Sequence, residues 1–249
     1  MPFQDCFHIE TAALSSLGNS AAWQPLGSLK SIQIRVGKES APRLVAAAQA
    51  IAGEGLAGDR HAAPLSPRQL LVAGSAAYAR WGLPPAALRE NLLFDFATER
   101  LGSGDLVRIG EEVILWMTFL CEACGRLERR CPGTLKTIGA DRGILARVLR
   151  GGVLRQGDPI ALCSVRAPEF SPAWQERVLQ VARAVPENAW ISYRQLAQMA
   201  GVQTAYCRAF PRVLSRLPAA VAGRVRAGAE RLGAPPWSGA GSFDIGSVQ

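Results

Sequence analysis

Strict alternation of apolar and polar side chains over Ser31-Ile-Gln-Ile-Arg-Val36 predicts a half-buried strand ending at Gly37. Short apolar runs separated by Gly and Pro recur through the middle of the chain, at Gln69 to Val72, Asn91 to Phe94, Leu106 to Ile109, Val113 to Thr118 and Pro159 to Cys163. Each reads as a strand. Few long amphipathic helices come between them, which argues for a compact barrel over a doubly wound sheet. From Trp174 the period lengthens: Trp174, Val178, Val181, Ala182 and Val185 form one apolar helix face that Pro186 stops. Ser192-Tyr-Arg-Gln195 is a capping box opening a second helix that runs to Gly201, and a third follows from Thr204, where Pro211 must kink it or mark a restart. Met1 to Gly27 has no period and reads as an irregular extension. Ser164 to Pro172, with two prolines, reads as a linker, and the Ala/Gly/Pro-rich stretch after Pro218 as a loosely packed tail. The expected class is α+β: an extension over 1–27, a β-barrel-rich domain over 28–165, and a small helical domain of helix-turn-helix or winged-helix type over 166–249.

With 249 residues, 49% of them hydrophobic, the chain has enough apolar material for one large domain or two smaller ones. Its net charge of +8 is dominated by arginine, since of 28 basic residues only Lys30, Lys38 and Lys136 are lysines. Arginine suits bidentate contact with phosphate and carboxylate, so the excess fits a polyanionic partner; it fits a compositional bias without functional meaning equally well. Residues 170 to 249 carry nine Arg against four acids. The longest apolar run, near Val113, is too short to cross a bilayer, and the N-terminus lacks the basic start and long apolar core of a signal peptide. A cytoplasmic protein without a membrane partner is expected. There the six cysteines stay reduced.

Three of those cysteines crowd into Cys121-Glu-Ala-Cys124-Gly-Arg-Leu-Glu-Arg-Arg-Cys131, which follows the apolar run and precedes a breaker-free helical turn. A thiol where a strand hands over to a helix, with Arg126, Arg129 and Arg130 nearby, ionises more readily than a free one and is a nucleophile and soft metal ligand. The spacing C-x2-C-x6-C also admits zinc, if His61 or Cys163 folds across to complete four ligands. Neither a phosphate-cradling P-loop nor a Gly-x-Ser-x-Gly elbow is present, so nucleotide hydrolysis and serine acyl transfer have no support.

The segments Gly55-Leu-Ala-Gly-Asp-Arg-His61, Pro67-Arg-Gln-Leu-Leu71, Arg89-Glu-Asn-Leu92, Arg108-Ile-Gly110, Cys124 with Leu127, Gly143 to Gly152 and Gly157-Asp158 resemble, in that order, the MOSC domain, the C-terminal domain of molybdenum cofactor sulfurase. The resemblance spans roughly residues 28 to 165. It implies a β-barrel, a pocket for the molybdenum cofactor (molybdopterin) and one cysteine as molybdenum ligand or persulfide carrier. By position that cysteine is Cys124, although Ala123 stands where relatives commonly have Pro. Arg60, Arg68 and Arg147, at strand ends or beside Gly, suit the phosphate of such a cofactor, and Gln69 and Asn91 suit the amide edge of a pterin. His61 reads as a ligand or acid, or as a hydrogen-bonded structural histidine. The implied activity is an oxidoreductase reducing small N-hydroxylated compounds, hydroxylamino base analogues among them, with electrons from a donor the sequence does not name. Sulfur transfer through a Cys124 persulfide is the alternative.

Phe170-Ser-Pro-Ala-Trp-Gln-Glu-Arg-Val178, Val185-Pro186, Ile191-Ser-Tyr-Arg-Gln-Leu-Ala197, Gly201 and Ala205-Tyr-Cys-Arg-Ala209 are similar to the DNA-binding half of alkylguanine DNA alkyltransferases and alkyltransferase-like proteins. The likeness implies a duplex DNA partner. By position Tyr193 matches the family's phosphate-rotating tyrosine and Arg208 its intercalating finger, with Arg212 a further nucleic-acid contact. Val221-Ala-Gly-Arg-Val225 stands where the family has its Pro-Cys-His-Arg-Val acceptor, so alkyl transfer is not expected. Arg177 is taken as a solvated surface charge. A non-enzymatic DNA-binding or lesion-sensing protein, with the barrel as scaffold, is the reading from a different class, and a helical appendage that packs or dimerises is the plainest one for this segment.

Overall fold

A computed structural model of the chain describes residues 22–37, 40–134, 136–228, 235–240 and 242–243. Cys6 and most of the expected N-terminal extension lie outside them, as does much of the expected tail. The described residues divide into two compact units, 22–64 with 68–170 and 65–67 with 171–243.

The first unit is a barrel. Its strands are β1 (Trp23–Ile34), β2 (Arg43–Val45), β3 (Ala47–Ile51), β4 (Gly55–Leu56), β5 (Leu70–Gly74), β6 (Leu92–Phe94), β7 (Asp105–Ile109), β8 (Val113–Leu120), β9 (Ile144–Arg150), β10 (Gly152–Arg155) and β11 (Pro159–Arg166). The main sheet runs β11-β7-β8-β9-β5-β6-β1-β2, and β11 also pairs with β1, so the sheet closes into a ring with β2 outside it. Closure pairs Trp23 with Cys163 and Ser28 with Pro159, with a bulge between Pro25 and Gly27. A smaller sheet, β10-β3-β4, carries the chain towards residue 59.

Inside the ring, Leu29, Ile32, Leu70, Val72, Leu92, Phe94, Val107, Leu115, Met117, Ala146 and Val148 form the core. The alternate residues of β5, β8 and β9 are covered on the outside too: Leu71, Phe119 and Leu145 pack in one outer cluster and Ala73 in another. Burial on both faces explains why β5 and β8 read as continuous apolar runs; the polar positions Gln33 and Arg35 in and just after β1 are buried as well, so the alternation there does not mark a solvent face. Three expectations need correction. β1 begins at Trp23, inside the stretch expected to be irregular, and β11 runs on through Arg166, inside the expected linker. A helix, α1 (Ser75–Trp81), follows β5 where none was expected.

α2 (Gly125–Arg130) follows β8, and a 3-10 turn, Gly139–Arg142, precedes β9. Gly143 joins that turn to β9 at φ 100°, and a Cβ there would collide with the Val72 carbonyl oxygen, so the connection requires glycine.

The second unit contains α3 (Trp174–Ala184), α4 (Tyr193–Met199), a 3-10 turn Thr204–Ala209, α5 (Phe210–Leu214), α6 (Ala219–Ala222) and a parallel pair of two-residue strands, β12 (Ile191–Ser192) and β13 (Val225–Arg226). Val178, Leu179, Ala182, Leu196, Met199, Phe210 and Leu214 build its core. Ser192 caps α4 by accepting from the Gln195 amide, as the capping box predicts. The return half of that box is not made, because the Gln195 side chain donates to the Trp237 carbonyl at 2.6 Å. Pro211 acts as a restart: the 3-10 turn ends at Ala209 and α5 begins with Pro211 in its first turn, where the missing N–H costs nothing. Arg177 is not the surface charge expected of it. It is 3% exposed and donates to the carbonyls of Ala200, Ser171 and Pro172.

Candidate functional site

Cys124 is the last extended residue before α2, and its carbonyl accepts from the amides of Leu127 at 2.9 Å and Glu128 at 3.1 Å. It is half-buried and packs against the outer cluster of Ala73, Ala77, Leu83, Ala87, Leu88, Leu127, Cys131 and Ile138, which Tyr78 and Leu93 also border. Cys121, three residues earlier on extended chain, is buried in the other outer cluster with Leu71, Phe119 and Leu145. The two thiols therefore belong to different packing clusters. Among the described residues no group of three His, Cys, Asp or Glu side chains can hold a metal ion together, so the zinc reading has no ligand set there.

The 53–64 segment is held to the barrel by two of the expected site residues. Gln69, wholly buried, donates to the carbonyls of Gly53 and Ala63 and accepts from the Val148 amide at 2.9 Å. Arg147, 2% exposed, donates to Pro64 O at 2.7 Å, and burial draws its guanidinium down to about 10. In the structure the Gln69 amide bonds to backbone, and the buried Arg147 holds the segment that carries Asp59, Arg60 and His61. Arg68, beside Gln69, is half-buried.

At the tip of that segment Asp59 is 5% exposed and accepts from the amides of Arg35 (2.9 Å) and His61 (2.8 Å) and from Asn91 Nδ2 (3.0 Å), with His61 Nδ1 at 3.2 Å. Burial pushes its carboxyl up, but hydrogen bonds from the His61 ring and the two amides, with the charge of His61, outweigh burial and hold it below the ordinary value. The His61 ring also lies 3.2 Å from an Arg35 guanidinium nitrogen and 3.4 Å from one of Arg60. A proton on Nδ1 lets His61 donate to Asp59 and accept from Arg60 through Nε2. The structure thus brings Arg60 and His61 together with Arg35, and Arg60 is exposed.

Asn91 extends the network. Its oxygen accepts from the Leu71 amide and its nitrogen donates to Gln33 O and Asp59, so this amide ties β1, β5 and the 55–61 turn together. Glu90, 1% exposed, accepts from Gln33 Nε2 at 2.8 Å and from the Tyr78 hydroxyl at 2.7 Å. Burial drives its carboxyl above the ordinary value, against hydrogen bonds from Tyr78 and Gln33 and the charge of Arg142, and burial together with the Glu90 charge drives the Tyr78 phenol up in turn. Arg142 donates to Leu88 O at 3.0 Å. Arg89 sits between these groups at φ 57°, a left-handed conformation uncommon for a long side chain. Asp59, Gln33, Arg35, Tyr78 and Glu90 are the residues that sequence reasoning missed. The signal for two of them was there, since Asp59 and Glu90 each stand beside a residue singled out for the site.

Residues 55–161 match the model of the MOSC domain. The matched segment holds Asp59, Glu90, Asn91 and Cys124 and ends within β11. No curated protein matches the chain. Among solved structures, the YuaD protein from Bacillus subtilis is similar with a TM-score of 0.47 and 17% identity, over 57% of this chain and 99% of that one. YiiM from Escherichia coli is similar with a TM-score of 0.46 and 18% identity, over 77% and 95%, and YiiM from Geobacillus stearothermophilus with 0.43 and 16%, over 77% and 99%.

MOSC domains are typically associated with the molybdenum cofactor. The residues present fit such a group in kind: a half-buried thiol as soft donor, the exposed Arg60 guanidinium beside His61 for a phosphate, and two buried polar atoms without a hydrogen-bond partner, Gln33 Oε1 and Arg142 Nε, for a polar ligand. Tyr193, Arg208 and Arg212 lie in the second unit. Tyr193 is half-buried with its ring edge-on to Phe210 at 5.4 Å, while Arg208 and Arg212 are exposed on the 3-10 turn and on α5. Among the described residues no helix is long and apolar enough to cross a membrane.

Proposed function

We propose that this chain binds the molybdenum cofactor through Cys124 and reduces small N-hydroxylated compounds with electrons from a separate donor. The observation that carries the reading is the MOSC match over a segment in which Cys124, alone of the Cys121–Cys124 pair, is left half-buried. Bound there, the cofactor would supply a redox-active metal centre for reduction of an N–O bond. The chain's part is to hold and orient it. Cys124 offers the sulfur, Arg60 and His61 offer donors to its phosphate, and Asp59 keeps His61 in one orientation. In protein purified from its own cytoplasm, Cys124→Ser loses bound molybdenum and reductase activity while Cys121→Ser retains most of both. Equal molybdenum in the two variants sinks the assignment. A persulfide on Cys124 formed without molybdenum marks the chain as a sulfur carrier instead.

The second unit is proposed to bind duplex DNA. Support comes from two exposed arginines on consecutive short helical turns and from an excess of nine Arg over four acids across residues 170 to 249. Binding by the full chain then weakens steeply with salt, since each phosphate contact releases counterions. Arg208→Ala removes any preference for mismatched duplex, where extruding a base is cheapest, and Tyr193→Phe acts more mildly. Arg183, exposed on α3, is the control: Arg183→Ala weakens all duplexes alike and flattens the salt slope by roughly one unit. Salt-independent binding, or no binding, removes DNA from the account.

A further inference from the structure

We infer that Glu90 and Tyr78 form a proton-holding pair beside the thiol cluster, from which a proton is delivered to the substrate's departing oxygen. The inference rests on the reductase reading and adds to it the source of a proton. Reducing an N-hydroxylated amine to the parent amine and water consumes two electrons and two protons, and a buried group that carries hydrogen at neutral pH supplies one of them at a fixed place. Glu90 is such a group by geometry. Its oxygens meet the amide of Gln33, the hydroxyl of Tyr78 and its own backbone N–H, all neutral, and among the described residues no salt bridge reaches it. The groups facing it are Gln33 from β1, Tyr78 from α1 and Arg142 from the turn before β9, and Arg142 directs its Nη1 to Leu88 O instead. A carboxylate only 1% exposed and without a bonded cation carries a desolvation cost that taking up a proton removes, in line with the upward shift already described.

Tyr78 gives this proton a route. When Glu90 is ionised the phenol donates to it at 2.7 Å; when Glu90 is neutral its own O–H donates to the phenol oxygen, and the phenolic hydrogen is released to point elsewhere. Tyr78 is half-buried and borders the same cluster as Cys124, so elsewhere includes the thiol's surroundings. In the step, the Tyr78 O–H bond breaks as its hydrogen passes to the hydroxyl oxygen of the substrate, which leaves as water. The Glu90 hydrogen moves to the Tyr78 oxygen, and solvent reprotonates Glu90. Both electrons come from an external electron-transfer protein, and the second proton, on nitrogen, comes from solvent. Glu90 acts through Tyr78 and is a positioning residue.

The experiment uses the full chain and two readouts. Infrared spectroscopy at neutral pH is expected to show a protonated-carboxyl band that Glu90→Gln removes and Tyr78→Phe displaces. In molybdenum-loaded protein with a reduced dye as electron source, both substitutions lower kcat by roughly a hundredfold with little change in KM, the scale of a lost general acid, and Glu90→Gln flattens the alkaline limb of the pH profile. A wild-type spectrum without the band overturns the inference whatever the activity, and so does a Glu90→Gln enzyme with an unaltered pH profile. Loaded wild-type protein that shows the band yet reduces no N-hydroxylated compound overturns the reductase reading instead, while the held proton stands.

Discussion

Two carboxyls in one hydrogen-bonded network, Asp59 and Glu90, are displaced in opposite directions: at Asp59 hydrogen bonds from the His61 ring and backbone amides outweigh burial, while at Glu90 burial outweighs Tyr78, its own backbone N–H, the charge of Arg142 and Gln33. Linkage turns this into a pH signature. Asp59, held low, contributes stability above its unfolded value of about 4, and that contribution is lost as pH falls through the lower folded value. Glu90, held high, contributes below its unfolded value of about 4.3 and loses the contribution as pH rises through its folded value. Urea unfolding at a series of pH values is therefore expected to show Asp59→Asn most damaging at neutral pH and progressively less so in acid, whereas Glu90→Gln gains on the wild type as pH rises. Parallel curves would contradict both assignments. Much of this site was open to reading from sequence, since the positions of Cys124, His61 and Asn91 follow from their motifs. The roles were less legible. Nothing local in a sequence says that the partners of Gln69 are the carbonyls of Gly53 and Ala63, or that Gln33, on a strand far upstream, donates to Glu90.

Single elements show the same division between what pattern reveals and what only packing decides. β5, β7 and β8 were legible because burial on both faces, or on one, leaves a run or an alternation behind. β9 was hidden by Arg147, a cation on the outer side of a buried strand, and β3 by its alanines, which carry little strand preference. Arg177 on α3 was misjudged for the related reason that charge predicts exposure unless something buried needs its donors. Here three carbonyls do, at the end of α4 and in the approach to α3. Arg177→Ala leaves the buried Ala200 carbonyl without its donor and opens a cavity where the guanidinium sat, and a loss of about 2–4 kcal/mol from the second unit is expected. Hydrogen exchange checks it: amides of α3 and α4 lose protection, while those of β8 and β9 keep theirs. Uniform loss along the chain would mean that the two units do not open separately.

For the molecule as a whole, the feature with the widest reach is the pairing of β1 with β11. The Ala22 amide donates to Ser164 Oγ across 142 positions of sequence, and the ring has no seam until that pairing forms. Made at roughly 5–20 residues per second, a growing chain releases β1 on the order of ten seconds before β11 exists to cover it. For that interval the first half of β1 is an open edge in a crowded cell, of the kind that recruits other nascent strands. Its composition suits the wait. Pro25 offers no N–H to a passing strand, Gln24 is polar and exposed, and the irregularity between Pro25 and Gly27 breaks the register that a stray partner must match. The bulge that shapes the finished barrel thus also guards the unfinished one on the ribosome.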